Sequence, residues 1–202
     1  MSVPGLKPPK DPKQKIVVIS LDEILVFEIT KTDFRIDSIS FEEARADTLS
    51  LPICGLSIVA DHKNQYYRQQ GGDFGDKKHI ILTGHKDGSV LIWKLFSYVG
   101  VLENYKDEIT SITKCFEGIA IGTMRGLIYI WDNYLLKCMK TIELSALPFK
   151  ILSFNIVNID ASQKRLLVVT LAGDVIEIAL SEYSYNKVKA KRFNSITKIN
   201  GH

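Results

Sequence analysis

Short apolar runs broken by tight polar turns recur along the chain, and three of the units share one frame. Residues 79–93, 118–131 and 165–178 each place two apolar stretches around a turn glycine, Gly88, Gly126 or Gly173. Five positions after that glycine, the second stretch closes on a large apolar residue: Trp93, Trp131 or Ile178. Runs of Val, Ile and Leu of this length predict strands. The glycines provide the positive φ that a tight hairpin demands, and Asp87 followed by Gly88 is the strongest signal, predicting a two-residue hairpin turn. The glycines stand 38 and 47 residues apart, the spacing of a four-stranded unit repeated along a chain.

The rest of the chain sorts around these hairpins. Residues 1–14 hold Pro4, Pro8, Pro9 and Pro12, which remove backbone donors and predict an extended tail. Four units follow, at about 15–50, 51–104, 105–145 and 146–202. The first contains apolar runs at 16–19 and 24–27 around a polar turn, a copy of the repeat without its glycine, and an alternating outer strand at 34–40. In the second, strands are expected at 53–60, 79–83, 89–95 and 98–103, with a long polar connection at 61–78 that includes a glycine-rich stretch at 71–75. The third should have strands near 109–115, 118–123, 127–131 and 136–143. The fourth should have them at 150–158, 165–170, 174–180 and 195–199, the last two joined by a lysine-rich connection.

Runs such as 90–93, 127–131 and 166–169 are apolar without interruption, as expected of middle strands covered on both faces by neighbouring sheets. Outer runs such as 137–144 alternate, as expected of strands with one wet face. The predicted fold is therefore all-β, a partial β-propeller of WD40 type with about four four-stranded blades. Four blades of about 45 residues fall short of a seven-bladed ring of around 300, so this chain is not expected to close the ring. The remaining blades are expected from further sequence or from another subunit.

Composition narrows the function classes. With 202 residues, 46% hydrophobic and 24% charged, the chain can bury a sizeable core. No run approaches the roughly 18 apolar residues of a membrane span, and the first residues lack a signal-peptide core, so a cytoplasmic location is expected. Cys54, Cys115 and Cys138 are odd in number and set among apolar residues, which predicts buried reduced thiols. A net charge of +3 is too small for a nucleic-acid partner. Its distribution is uneven: lysines concentrate at 7–15 and again at Lys187, Lys189, Lys191 and Arg192, with an acidic zone over 22–47. Such runs are ordinarily solvated surface, but the second basic cluster is also a candidate dock for an acidic partner.

Catalytic constellations are missing from the sequence. His62, His79, His85 and His202 have no metal-binding spacing, and neither a nucleophile elbow nor a phosphate-binding loop occurs. His85 is expected at a surface or in blade packing, and Trp93 and Trp131 in the core. No cofactor, metal or enzymatic activity is expected.

Asp87, six positions before Trp93, stands where many WD40 blades place an aspartate that bonds other polar groups of the blade. The equivalent positions of the next two units are Arg125 and Ala172, and a Gly-His pair occurs only at Gly201 and His202, so the polar network is expected to hold only in part. The order of features over about 65–202 resembles the closing blades of the first propeller in the echinoderm microtubule-associated protein-like (EMAP-like) family. The residues that carry it are Gly88 to Trp93, Gly126 to Trp131, the run 136–142, Gly173 to Ile178, the terminal Gly-His pair and the glycine-rich loop. The family's hydrophobic segment ahead of that propeller and its second propeller are not found in this chain. The resemblance implies a scaffold that binds tubulin through propeller loops, located at the cytoskeleton or cilium. The alternative is a general WD40 interaction module in a ciliary, trafficking or polarity complex, holding other proteins through loops such as 61–78. Neither reading calls for a nucleic acid or a membrane.

Overall fold

A computed structural model describes residues 14–20, 23–30, 33–45, 47–48, 50–59, 79–94, 97–116, 118–147, 151, 153–162, 164–180 and 189–193. These form fifteen strands in four antiparallel sheets, with two short 3-10 turns at Phe41–Ala44 and Leu144–Ala146. The first sheet contains β1 (Gln14–Ile19), β2 (Glu23–Ile29) and β3 (Phe34–Ser40). The second contains β4 (Pro52–Val59), β5 (His79–His85), β6 (Ser89–Lys94) and β7 (Ser97–Asn104); the third, β8 (Ile109–Lys114), β9 (Gly118–Thr123), β10 (Leu127–Asp132) and β11 (Cys138–Glu143). The fourth contains β12 (Ile156–Ser162), β13 (Arg165–Thr170), β14 (Val175–Ala179) and β15 (Lys189–Phe193).

Within each sheet the strands follow chain order as a meander, and successive sheets stack face to face. First strands contact first strands across the stack, β4 against β8 and β8 against β12, which puts them at the axis. This is an open arc of a β-propeller. Three apolar seams hold it. Ile24, Val26 and Ile39 meet Ile81, Leu91 and Trp93 between the first two sheets. Ile80, Leu82, Val90 and Ile92 meet Ile112, Ile119, Ile121 and Trp131 in the next seam. Ala120, Ile128, Ile130 and Ile142 meet Ile159, Leu166, Val168, Ile176 and Ile178 in the last. At about 1.5–3 kcal/mol for each fully buried side chain of this size, these seams are the main stabilising contribution.

The turn of each repeat is built alike. The glycine N–H donates to the carbonyl three residues back, Gly88 to His85, Gly126 to Thr123 and Gly173 to Thr170, at 3.2, 3.1 and 2.9 Å. The glycines have φ of 91°, 87° and 81°. Three residues separate the paired strands in the second and third sheets and four in the fourth, so each turn is a longer loop with a left-handed glycine rather than the two-residue turn expected. The residue after the first strand of each hairpin donates its N–H to the connection entering the same sheet: Lys86 to Leu51, Met124 to Glu108, Leu171 to Asn155.

Register identifies the three strands of the first sheet. Phe27 lies opposite Ile16 as Trp93 lies opposite Ile81, Trp131 opposite Ile119 and Ile178 opposite Leu166. Thus β1, β2 and β3 correspond to the last three strands of a blade, and a counterpart of β4, β8 and β12 is lacking among the described residues of that sheet.

The fourth sheet departs from expectation in two places. Its first strand is Ile156–Ser162 rather than 150–158: Ile151 is buried, but in the connection, so its apolar character belongs to the seam and not to a ladder. Its outer strand is Lys189–Phe193, inside the stretch expected to be a lysine-rich connection, whereas 195–199 lies outside the described residues. An outer strand needs only its backbone to join a ladder, so a charged sequence suffices. In the same sheet 166–169 is buried on one face only, because no described sheet covers the other, and 127–131 likewise alternates between buried and half-buried positions. Among the thiols, Cys115 is buried as expected, Cys54 is half-buried and Cys138 is exposed on the outer β11; all three are free.

Candidate binding surface

The second blade is fixed by a one-way chain of buried polar groups. The Trp93 indole N–H donates to Thr83 Oγ1 at 2.9 Å, and Thr83 is hydrogen-bonded at 2.9 Å to His85 Nε2. His85 Nδ1 in turn lies 2.9 Å from the Ser50 carbonyl. The carbonyl can only accept, so Nδ1 carries the proton, Nε2 accepts from the threonine hydroxyl, and the imidazole is neutral. Burial pushes the His85 pKa below its ordinary value; the Ser50 carbonyl and the nearby Asp87 charge oppose this without overcoming it. Phe41 meets both the Trp93 and His85 rings edge-on, at 5.0 and 5.9 Å.

Asp87 ties the turn to the same incoming connection. Its carboxylate accepts from Ser89 N at 3.0 Å, Ser89 Oγ at 2.6 Å and Thr48 Oγ1 at 2.8 Å, while its N–H donates to Ser50 Oγ at 3.2 Å. Partial burial would raise its pKa, but these hydrogen bonds hold it below the ordinary carboxylate value. The aspartate thus bonds polar groups of its own turn and of the incoming connection. Of the two places expected for His85, a surface or blade packing, it takes the second: it is a fully buried member of the chain at the end of β5.

Other blades solve the same positions differently. In the third, Ile121 and Thr123 stand where Thr83 and His85 stand, and the Trp131 indole donates instead to Tyr105 Oη at 2.6 Å. That tyrosine stacks on Tyr129 at 4.0 Å. In the fourth, Val168, Thr170 and Ile178 occupy the frame, and Thr170 bonds Asp174.

Strand ends sort the charged residues onto two rims. The rim carrying the glycine turns and the sheet-to-sheet connections bears Glu42, Asp47, Asp87, Glu103, Asp107, Glu108 and Glu143, against Arg45, Lys86, Lys106 and Arg125, among the described residues. Arg45 and Arg125 are themselves paired, with Glu42 at 3.9 Å and Asp107 at 3.8 Å. The opposite rim, where β8 turns into β9 and β10 into β11, bears exposed Lys114, Lys137 and Lys164. Its Asp132 carboxylate is occupied by the N–H groups of Tyr134 and Leu136, both at 2.9 Å. Among the described residues the first rim therefore has an excess of carboxylates, and the second carries these lysines together with the exposed Asp33.

A cleft of about 450 Å³ opens on the basic rim, lined by Ile58, Lys114, Cys115, Phe116, Ile119, Asn133 and Tyr134. Phe116 is 55% exposed and carries the Lys164 ammonium 5.0 Å above its ring. A second cleft, also about 450 Å³, continues from Phe116 past Lys164 and Arg165 to Ala179 and Leu180. The surface therefore combines lysines with an exposed aromatic ring, which suits an acidic segment with an apolar side chain.

The basic cluster chosen from sequence lies partly elsewhere. Lys187 is outside the described residues. Lys189, Lys191 and Arg192 are ladder positions of β15, opposite Ala179, Glu177 and Ile176, and not part of a loop. Asp87, Gly88, Trp93, Gly126, Trp131 and Gly173 occupy the same frame positions in their blades. Lys114, Phe116, Lys137 and Lys164 were not singled out, although each stands at the end of an apolar run, where a side chain reaches a rim. The segments 60–78 and 181–188, the first holding the loop expected to bind a partner, lie outside the described residues.

No protein-family model matches the chain, and no curated protein matches it. Solved structures do. The β-propeller domain of Swd1 from Myceliophteria thermophila matches 59% of this chain and 36% of its own, at 14% identity and a TM-score of 0.47. Sqt1 of Saccharomyces cerevisiae matches 87% of this chain and 44% of its own, at 17% identity and a TM-score of 0.52. The computationally designed Ika4 protein matches 88% of this chain and 96% of its own, at 15% identity and a TM-score of 0.53. The chain spans less than half the length of Swd1 and Sqt1. Stacked sheets, repeated turns and axial first strands agree with the likeness to Sqt1 and Ika4, and the chain has the fold of a partial β-propeller.

Proposed function

We propose that the chain is a non-catalytic WD40-type scaffold that receives an acidic protein surface on its basic rim. The observation that carries this reading is the pair of clefts that share the exposed Phe116, one lined by Lys114 and the other by Lys164 and Arg165, opposite a rim richer in carboxylates. A rigid stack holds the rim, and rim loops supply the contacts. The resemblance to the EMAP-like family makes acidic tubulin tails the partner of choice, with the protein in the cytoplasm on the cytoskeleton. This finer assignment rests on the sequence resemblance and on charge.

Co-sedimentation with polymerised tubulin tests it. Binding at low salt that weakens as salt is raised, and that falls at least tenfold in Lys114→Glu/Lys164→Glu, is the expected result. Failure of the wild-type chain to bind at low salt rejects the tubulin assignment. The clefts favour a second reading, a module for short acidic peptides of another complex; enrichment of a tubulin-free assembly from cells, lost in the same double variant, would select it.

A further inference from the structure

We propose that the two clefts at Phe116 read two side chains of one extended peptide: an acidic residue beside Lys114 and, about three positions away, an apolar residue beside Lys164, with the Phe116 ring as the wall between them. This rests on the reading of the rim as a receptor for acidic protein segments, and narrows what such a segment must contain.

Phe116 stands in the turn between β8 and β9. Cys115 and Gly118 close that turn with two backbone hydrogen bonds, the Cys115 N–H donating to the Gly118 carbonyl at 2.8 Å and the Gly118 N–H to the Cys115 carbonyl at 3.3 Å. The ring is therefore carried on a fixed base. Tight turns favour glycine and small polar residues, so an aromatic ring that is 55% exposed there does nothing for the turn itself. What lies on either side gives it a use.

The clefts belong to successive seams. The first lies between the second and third sheets, with Ile58 of β4 on one side and Lys114, Asn133 and Tyr134 from turns of the third sheet on the other. The second lies between the third and fourth sheets, with Phe116 on one side and Lys164, Arg165, Ala179 and Leu180 on the other. Each encloses about 450 Å³, room for a side chain and the stretch of backbone that bears it.

Their walls differ in chemistry. Around the first stand the Lys114 ammonium, the Asn133 amide and the Tyr134 hydroxyl, all groups that donate to a carboxylate. The neighbouring Asp132 carboxylate is committed to its own turn, accepting from the N–H groups of Tyr134 and Leu136. In the second cleft the Arg165 guanidinium is held by Glu177 at 2.9 Å, and the Lys164 ammonium lies over the Phe116 ring. The ring, Ala179, Leu180 and the methylene stems of the two cations are left to form its wall, which suits an apolar side chain.

Spacing follows from the stack. Sheets packed face to face lie about 10 Å apart, so clefts in successive seams are one such step from each other. An extended chain advances about 3.3 Å per residue, and a polyproline II chain about 3.1 Å with three residues to a turn. Side chains about three positions apart therefore reach across one sheet, and in the polyproline II form they also point the same way. A helix, rising about 1.5 Å per residue, would need about seven positions and is itself about 10 Å wide, too broad for clefts of this size.

Fluorescence anisotropy of the 202-residue chain with labelled peptides tests this. The peptides have a Gly-Ser background with one glutamate and one leucine, separated by one to seven positions in either order. Affinity should peak at a separation of about three, about tenfold above peptides in which serine replaces either residue. Lys114→Gln should erase the difference between glutamate and glutamine peptides, and Ala179→Leu, which fills the second cleft, the difference between leucine and serine peptides. Phe116→Ala, at an exposed position outside the three seams, should lower and broaden the peak with strand circular dichroism retained. No peptide binding, a flat dependence on separation, or a peak at about seven would overturn the proposal, while salt-sensitive co-sedimentation with tubulin would leave the acidic-partner reading standing. A wild-type chain that binds neither tubulin nor any peptide overturns both.

Discussion

The second and fourth blades share a backbone and almost none of its polar chemistry. Thr83, His85, Asp87 and Trp93 in one correspond to Val168, Thr170, Ala172 and Ile178 in the other, yet both make the same glycine turn and the same bond to the incoming connection. The frame is therefore set by a left-handed glycine and two apolar strands, without help from the buried chain of hydrogen bonds. What that chain adds is attachment: through Ser50 and Thr48 it clamps the second blade to the connection arriving from the first. The fourth blade keeps a shorter device, with its carboxylate moved from the turn to Asp174, at the position of Ser89, where it bonds Thr170.

The turn glycines offer the largest contrast. A Cβ on Gly88 would lie 2.5 Å from Asp107 N and 2.6 Å from Lys106 N, whereas one on Gly173 would have nothing within 4 Å. Gly173→Ala should cost only the left-handed backbone term, about 1–2 kcal/mol. Gly88→Ala should cost more than about 3 kcal/mol, because the next connection must also move. Urea midpoints of the two variants check this, and equal losses would mean that the seam at Gly88 is looser than its geometry.

Exchanging the central polar residue comes next. Thr83→Val leaves the Trp93 N–H and His85 Nε2 without their partner in a fully buried site, with an expected loss of about 2 kcal/mol. The reciprocal Val168→Thr brings a hydroxyl into an apolar seam and should cost about 1–2 kcal/mol. If Thr83→Val proved neutral while Val168→Thr did not, the chain would be an ornament of the second blade and not its clamp.

The smallest effect is expected from pH. His85 is neutral in the fold with its pKa lowered by burial, so the unfolded chain takes up its proton first as pH falls. Stability from this group is complete above the ordinary histidine value of about 6.5 and is lost as pH drops below it towards the folded pKa. Asp87, also lowered, acts only near and below the ordinary carboxylate range, so the two windows separate. Melting temperatures between pH 7.5 and 5 should fall more steeply for wild type than for His85→Gln, and parallel slopes would remove His85 from the clamp.

How far the sequence could be read follows the range of the interactions. Gly88, Gly126 and Gly173 were legible because a turn is decided within a few residues, and so were the hairpins they close. His85 was not, because its acceptor is the Ser50 carbonyl, 35 residues away, and nothing local distinguishes a buried turn histidine from a wet one. The strand at 189–193 was missed for the opposite reason: its ladder bonds are made by the backbone, and a lysine-rich run has no apolar pattern to announce a strand. The basic rim was hidden because Lys114 and Lys164 are far apart in sequence and flank Phe116 only when the third and fourth sheets stack.

The two indoles of this chain sit in different seams, Trp93 between the first and second sheets and Trp131 between the second and third. Their emission is consequently a pair of local gauges. Trp131→Phe leaves a fluorophore that lights up loosening at one junction, and Trp93→Phe one that lights up the other. Comparing the two signals during denaturation would show which junction of the arc parts first.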